Sequence, residues 1–212
     1  MKDIAIFGAG GLGREVACMI NQINKQTPIW DLVGFFDDGI ESGTENQYGK
    51  VLGGLMELNN HKTPIAVAVA NGNPDVIRTI VSGITNPLVT FPNIISPDVF
   101  FYDLSTLKMG KGNFIGPNSS ISCNVSLGDF NMLNVFTQVG HDTSIGNFNV
   151  VMPSVNISGC VEVGDRNLFA VKSTVIQNIK IGNGVTLAPN SVMTRNAKDG
   201  KSYLGNPAKV FI

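Results

Sequence analysis

The chain has 212 residues, of which 43% are hydrophobic and 15% are charged, and its formal net charge is −1. This length is sufficient to bury one large core or two smaller ones, and the composition is not that of a disordered protein. No cluster of Lys and Arg marks a nucleic-acid surface, so we expect no nucleic-acid partner.

Neither a signal peptide nor a membrane span is predicted. The N-terminal residues lead directly into an apolar segment, and no apolar run is long enough for a membrane helix, so we expect a cytoplasmic protein. Cys18, Cys123 and Cys160 lack the spacing of metal ligands. We therefore expect free thiols, a packing role for Cys160 and no metal.

The first part of the chain alternates between strand and helix patterns. Apolar strands are predicted at residues 4–7, 30–36, 65–70 and 88–95, and helices at 14–23 and 74–81. This alternation is typical of an α/β domain with a parallel sheet. The segment 96–107 breaks the rhythm, so we predict two domains, 1–96 and 97–212.

A glycine-rich turn, Gly8-x-Gly10-x-x-Gly13, follows the first strand and opens the first helix. This is the context of a dinucleotide fingerprint, in which amides at the helix start bind phosphate. Asp37 and Asp38 end the second strand, where an acidic residue would contact a ribose or base. Strand–helix packing alone also explains the glycines. An NAD-dependent oxidoreductase is disfavoured because the segment accommodates little more than one mononucleotide-binding half.

From Met109 onward, every sixth residue is apolar. The fifteen positions are Met109, Ile115, Ile121, Leu127, Leu133, Val139, Ile145, Val151, Ile157, Val163, Phe169, Val175, Ile181, Leu187 and Met193. The next residue is often Gly, Ser or Ala, which we expect to let the chain turn, and the residue two positions before is small or β-branched. This period predicts a hexapeptide-repeat parallel β-helix of about five coils, in which equivalent residues recur about every 18 positions.

One of the two histidines lies inside the repeats. His61 is in a polar stretch and is predicted to be a solvated loop residue, whereas His141 lies near a corner and faces out. Asp142 would fix its tautomer or raise its basicity if the corner lets the side chains meet. Gly159, one coil later, would offer an amide to an oxyanion, and Asn134 would orient the imidazole or a substrate group. A base, an amide donor and an orienting polar group are what acyl transfer to an amine or a hydroxyl requires.

With these motifs the chain resembles the hexapeptide-repeat acetyltransferases that carry an N-terminal nucleotide-sugar-binding domain, the sialic acid O-acetyltransferase and UDP-amino-sugar N-acetyltransferase (NeuD/PglD) family. The resemblance covers nearly the whole chain. It rests on residues 4–16, 35–38, 70–73, 140–142 and 205–209.

The resemblance implies a left-handed β-helix, a homotrimer with active sites between subunits, and acetyl-CoA as acyl donor along the β-helix. It makes His141 the general base and Asp142 the residue that increases its basicity. The family's nucleotide-sugar contacts fall on Gly10, Gly11, Leu12, Asp37, Asp38 and Gly72. Its acetyl-CoA contacts fall near Gly159, Val171 and Pro189, and we add Lys209. Leu12 and Val150 depart from the family, which often has histidine at the first position and sometimes at the second.

We therefore expect an acetyl-CoA-dependent N-acetyltransferase that acts directly on a nucleotide-linked 4-amino-deoxy sugar, for surface polysaccharide or glycan biosynthesis. His141 would remove a proton from the amine, which attacks the thioester carbonyl while an amide near Gly159 stabilises the oxyanion. Sialic acid O-acetylation is the alternative. An oxidoreductase and a non-catalytic β-helix protein are more distant ones. The sequence identifies neither the nucleotide nor the sugar.

Overall fold

The computed structural model describes residues 1–211. It contains two compact units, Met1–Pro97 and a second that begins at Asp98. Within the described residues, no helix combines the length and the hydropathy that a membrane crossing requires.

The first unit is built on a six-stranded, mainly parallel sheet. Its elements in chain order are β1 (Lys2–Phe7), α1 (Gly11–Gln26), β2 (Trp30–Phe36), β3 (Glu45–Asn46), β4 (Gly49–Gly53), α2 (Leu55–Asn59), β5 (Ile65–Val69), α3 (Pro74–Gly83), β6 (Val89–Thr90) and β7 (Ile94–Ile95). The strand order is β3-β4-β2-β1-β5-β6, and only the edge strand β3 is antiparallel to its neighbour. The strand order reverses at β1, and such a reversal opens a ligand crevice at the carboxyl ends of the strands.

The helices form where the sequence supplies an apolar face and a start signal. In α1, Val16, Met19 and Ile20 are buried at helical spacing. Asn73 caps α3, because its Oδ1 accepts from the amides of two first-turn residues at 2.9 and 3.3 Å, and Pro74 at the first helical position lacks an amide that would need a partner.

The structure corrects the sequence prediction at two places. The strand predicted over residues 88–95 is two short strands, β6 and β7, with Pro92 between them, and proline cannot donate a hydrogen bond within a strand. The segment β3-β4-α2 was not predicted, because Gly49, Gly53 and Gly54 interrupt its apolar pattern. The parallel α/β fold itself is confirmed.

The second unit is a parallel β-helix, as the six-residue period predicts. Its elements are β8 (Phe100–Phe101), a 3₁₀ turn (Leu104–Thr106), β9 (Lys108–Met109), β10 (Phe114–Ile115), β11 (Ser120–Ile121), β12 (Ser126–Leu127), β13 (Met132–Leu133), β14 (Gln138–Val139), β15 (Ser144–Ile145), β16 (Val150–Val151), β17 (Asn156–Ile157), β18 (Glu162–Val163), β19 (Leu168–Phe169), β20 (Thr174–Val175), β21 (Lys180–Ile181), β22 (Thr186–Leu187), β23 (Val192–Met193), β24 (Ser202–Gly205) and β25 (Ala208–Val210). From β8 to β23 every third strand stacks in parallel on one of three faces. For example, β14 lies between β11 and β17.

The fifteen apolar positions fill the interior of the β-helix. Met109, in the first coil, is half-buried, and the other fourteen are at most 6% exposed. From Asn113 onward the residues two positions before them are buried as well, so each of these hexapeptides supplies two side chains to the core. Each fully buried aliphatic side chain contributes about 1.5–3 kcal/mol, and the repeat therefore supplies the hydrophobic core of this unit.

An asparagine ladder runs through one interior edge of the β-helix. Asn113, Asn131, Asn149 and Asn167 lie in successive coils and are at most 1% exposed. The side-chain oxygen of each accepts from both the backbone amide and Nδ2 of the next, at 2.8–3.1 Å. The amide of Val185 closes the ladder on Asn167 at 2.7 Å. The buried amides are thus paired across coils, as buried polar groups must be.

The corners use a left-handed backbone residue three positions after each inward apolar residue from Met109 to Leu187. Every sixth residue from Gly112 to Asn190 has φ between 54° and 69°, and only Gly112 and Gly184 among them are glycines. The small residue directly after the apolar site does not make the turn, which corrects the sequence interpretation. Its size matters for stacking instead: a Cβ on Gly128 would lie 2.6 Å from the carbonyl oxygen of Gly146, one coil later.

Successive coils keep an 18-residue offset except at the two ends. Gln138 pairs with Asn156 in the middle of the β-helix. In the first coil Phe100 pairs with Ser120, an offset of 20, and the 3₁₀ turn lies in that coil. In the last coil Thr186 pairs with Ser202, an offset of 16.

Candidate functional site

The corner after β14 brings His141 and Asp142 together. Nδ1 of His141 lies 2.8 Å from Oδ2 of Asp142, and the two side chains are 59% and 51% exposed. Adjacent residues of a flat strand point to opposite faces, but Asp142 has φ +56° and its side chain turns back to the imidazole. The condition set by the sequence, a corner that lets the two groups meet, is therefore fulfilled.

The contact with Asp142 determines how the imidazole can act. A carboxylate can only accept a hydrogen bond, so the neutral imidazole carries its proton on Nδ1 and has its lone pair on Nε2. The hydrogen bond from His141 holds the pKa of the Asp142 carboxyl below its usual range, and a second hydrogen bond from Asn124 acts in the same direction. Asp142 is therefore a carboxylate throughout the neutral pH range, which stabilises a positive charge on His141.

Asn124 is a site residue that the sequence analysis missed. Its Nδ2 donates to Oδ1 of Asp142 at 3.0 Å, which leaves Oδ2 directed at His141. Asn124 lies 18 residues before Asp142, at the same corner of the preceding coil, and its φ is +56°. The 18-residue offset, applied to Asp142 as well as to His141, was the signal that could have found it.

The ring of His141 lies against Gly159 of the next coil. A Cβ on Gly159 would be 2.7 Å from Nε2 and 2.8 Å from Cε1, so the imidazole occupies the space that any other residue would fill. Among residues 1–211, the amide of Gly159 donates to no backbone or side-chain acceptor. The base and an available amide are thus adjacent, as a proton acceptor and an oxyanion donor need to be.

A shallow groove of about 160 Å³ runs beside His141 on the face of β14. Its polar lining consists of Ser120, Ser122, Gln138, Asn156, Ser158 and the exposed ring of Tyr102. Hydroxyl and amide groups beside an aromatic ring suit a polar ligand with an apolar face. Tyr102 precedes the first predicted repeat and was therefore missed by the sequence analysis.

The other residues predicted for the catalytic and acetyl-CoA sites are spread over the β-helix. Asn134 lies one corner before His141 and accepts from the amide of Val135 at 2.7 Å, whereas the side chain that donates to Asp142 is that of Asn124. Val171 and Pro189 are exposed in the same column of corners as Asn134. Gly159 lies in the column of corners that contains His141. Lys209 is exposed in the hairpin of β24 and β25.

Two further expectations concern single residues. Cys160 is exposed instead of packed, at a left-handed corner position with φ +58°. Val150, which departs from the family, is 1% exposed in β16.

In the first unit, two glycines of the glycine turn are closely packed and two have free space around them. Gly8 has φ +113°, and a Cβ there would lie 2.5 Å from the carbonyl oxygen of Ala70, while a Cβ on Gly13 would clash with the carbonyl oxygen of Gly8. Those two glycines are required for packing. Gly10 and Gly11 have no atom within 4 Å of a Cβ position. They begin α1, whose first amides lack helical acceptors, beside the half-exposed Leu12.

Both aspartates after β2 bind backbone amides. Asp37 accepts from the amides of Ala9 and Gly39, each at 2.8 Å, and so connects β2 to the glycine turn. Asp38 accepts from the amide of Leu55 at 2.7 Å, at the start of α2. Both carboxylates line a cleft of about 340 Å³, so their remaining lone pairs face a ligand-sized space. Gly72 has no atom within 4 Å of a Cβ position and lies in the loop after β5.

Comparisons with known proteins match both units. The family model of the PglD N-terminal domain matches residues 3–84. A GDP-perosamine N-acetyltransferase of Escherichia coli O157:H7 is 31% identical over 150 residues, which cover 67% of this chain and 63% of the relative. The match therefore spans less than two thirds of the length of that curated relative.

Solved structures match over the whole fold. The acetyltransferase domain of PglB from Neisseria gonorrhoeae FA1090, in complex with acetyl coenzyme A, has a TM-score of 0.88 and 26% identity, covering 99% of each chain. PerB from Caulobacter crescentus, in complex with CoA and GDP-perosamine, has a TM-score of 0.86 and 20% identity, covering 100% of this chain and 98% of that one. The N-terminal unit is therefore of the PglD N-terminal type, and the chain as a whole is similar to acetyltransferases of known structure.

Proposed function

We propose that the protein is an acetyl-CoA-dependent N-acetyltransferase that acts on a nucleotide-linked 4-amino-deoxy sugar. The observation that carries the proposal is the pair of His141 and Asp142 at 2.8 Å, turned outward and set against Gly159. The N-terminal unit of the PglD type and the nucleotide-sugar and CoA complexes of similar structures support the choice of both substrates.

In this mechanism Nε2 of His141 accepts a proton from the amine as the nitrogen attacks the thioester carbonyl of acetyl-CoA. The amide of Gly159 donates to the developing oxyanion, and Asp142 stabilises the imidazolium. The C–S bond then breaks, and the proton on His141 passes to the sulfur of the leaving coenzyme A. No acyl-enzyme forms. One addition and one elimination transfer the acetyl group, and the proton taken from the amine ends on coenzyme A.

We also propose where the two substrates bind. Residues 1–96 bind the nucleotide sugar through Gly10, Gly11, Leu12, Asp37, Asp38 and Gly72, and residues 97–212 bind acetyl-CoA near Gly159, Val171, Pro189 and Lys209. The enzyme works in the cytoplasm as a homotrimer with active sites between subunits, in surface polysaccharide or glycan biosynthesis. Because Asp37 and Asp38 already bind amides, we expect them to contribute one ligand contact each.

The test is acetyl transfer measured with a panel of nucleotide-linked amino sugars, with free sialic acid as the O-acetylation control. We expect turnover on a nucleotide-linked 4-amino sugar and none on sialic acid. The variant His141→Ala should lower kcat by about 10²- to 10⁴-fold, the usual contribution of a general base. Turnover on sialic acid alone, or a near-normal kcat in His141→Ala, would contradict the proposal.

A further inference from the structure

A third potential ligand group lies beside the pair of His141 and Asp142. The thiol of Cys160, a ring nitrogen of His141 and a carboxylate oxygen of Asp142 all lie within 4.8 Å of one another. All three residues are exposed, so solvent and small ions reach the cluster. The mechanism above uses the histidine and the aspartate and gives the thiol no part.

The β-helix register places the thiol there. Asp142 and Cys160 are 18 residues apart and occupy the same left-handed corner position in successive coils, with φ +56° and +58°. The amide of Cys160 also donates to the carbonyl oxygen of His141 at 2.8 Å. The backbones that carry the three side chains are therefore fixed relative to one another by the coil stacking.

We propose that His141, Asp142 and Cys160 form a binding site for a thiophilic divalent cation of the Zn²⁺ class. Nitrogen, thiolate and carboxylate are the three ligand types that zinc uses in proteins. Tetrahedral coordination at normal Zn–S and Zn–N lengths separates two ligand atoms by about 3.6 Å. A displacement of about 1 Å by these exposed side chains brings the ligand atoms that are farthest apart to that separation.

Two details of the structure favour the site. Asn124 already donates to Asp142 at 3.0 Å, and ligand carboxylates in metal sites are held by such outer hydrogen bonds. Three protein ligands on an exposed corner also leave the fourth tetrahedral position for water. No covalent change is required other than loss of the thiol proton on binding.

Metal binding would inhibit the enzyme, and this part rests on the proposed function. A metal bound at Nε2 blocks the base directly. A metal bound at Nδ1 leaves the neutral ring with its proton on Nε2, which then has no lone pair for the amine. The cation is thus a reversible inhibitor and not a cofactor of the reaction.

The binding test uses Co²⁺ with the metal-free full-length protein, without substrates. We expect one Co²⁺ per chain with a thiolate-to-cobalt charge-transfer band, displaced by Zn²⁺. Cys160→Ser should lose the band and bind at least tenfold more weakly. Cys123→Ser is the matched control, because Cys123 is in the coil below His141 but outside the cluster, and it should keep the band.

The functional test measures acetylated sugar by chromatography over a Zn²⁺ series, since free coenzyme A also binds zinc. Cys160→Ser should turn over normally without metal and need at least tenfold more Zn²⁺ for half inhibition. Equal Co²⁺ binding by the wild type and Cys160→Ser, or loss of the band in Cys123→Ser, would overturn the site. If no acceptor is acetylated, the proposed function fails, and the cobalt spectrum still decides the metal site by itself.

Discussion

The variant Gly159→Ala should damage catalysis while leaving the fold intact. Gly159 is not among the residues with positive φ, so its backbone accepts alanine without strain. The new Cβ would lie 2.7 Å from Nε2, 2.8 Å from Cε1 and 3.1 Å from Cδ2 of His141. The atoms it meets belong to an exposed ring, which can move into solvent.

The geometry sets the size of the effect. An ordinary contact distance is about 3.5 Å, so the imidazole must retreat by about 0.8 Å. A misplacement of about 1 Å costs about 10²-fold in rate. We therefore expect kcat to fall about 10- to 100-fold, which corresponds to about 1.4–2.7 kcal/mol of activation free energy. The free energy of unfolding should change by less than about 1 kcal/mol.

Three measurements check this prediction. Steady-state acetylation gives kcat, thermal unfolding gives stability, and NMR titration of the carboxyl carbons follows the pKa of Asp142, which should rise towards its usual range as the contact with His141 weakens. Gly140→Ala is the control. There a Cβ would lie 2.5 Å from the backbone carbonyl carbon of Ser158, which cannot move aside, so stability should fall. Unchanged kcat and an unchanged Asp142 pKa in Gly159→Ala would refute the reasoning.

Three other variants test the hydrogen bonds of the β-helix. Asn124→Gly keeps the left-handed corner but removes the donor to Asp142. The pKa of the Asp142 carboxyl should therefore rise, so that on acidification the carboxylate becomes protonated at a higher pH than in the wild type. The control Asn178→Gly, at the same corner two coils beyond Asp142, should leave that pKa unchanged in the same NMR titration. Asn149→Ala leaves the amide and Nδ2 of the next ladder asparagine without an acceptor and should cost about 2–4 kcal/mol in denaturant unfolding; a cost near zero would mean that the ladder is not stabilising. Ser173→Ala removes a buried hydroxyl that has no partner among the described residues and should raise stability by up to about 1 kcal/mol, whereas a loss of stability would show that the hydroxyl is satisfied.

The repeating half of the fold was predictable because one physical requirement recurs at each step. A β-helix core needs an apolar side chain every six residues, and all fifteen positions supply one. The first unit was harder, because β3, β4 and α2 are short and rich in glycine, and their positions depend on pairing with β2. Local patterns carry little information about such elements.

The candidate site was predictable to the extent that it follows from the coil register. Gly159 was placed over His141 by counting 18 residues, and the same count leads from Asp142 to Asn124 and Cys160. The meeting of His141 and Asp142 was not predictable, since it depends on a left-handed backbone at Asp142. That conformation arises from the corner geometry and not from residue type, because phenylalanine and arginine adopt it elsewhere in the chain.

The offsets between coils limit how this protein can change in length during evolution. An insertion or deletion of six residues in the middle would move every later side chain to the next face, separating residues such as Asn124 and Asp142. A duplication of 18 residues would preserve the faces, yet one placed between His141 and Gly159 would still dismantle the site. Among the described residues, the end coils are the ones that already depart from that length, with offsets of 20 and 16. We therefore expect small length variation among homologues to be concentrated at those two ends.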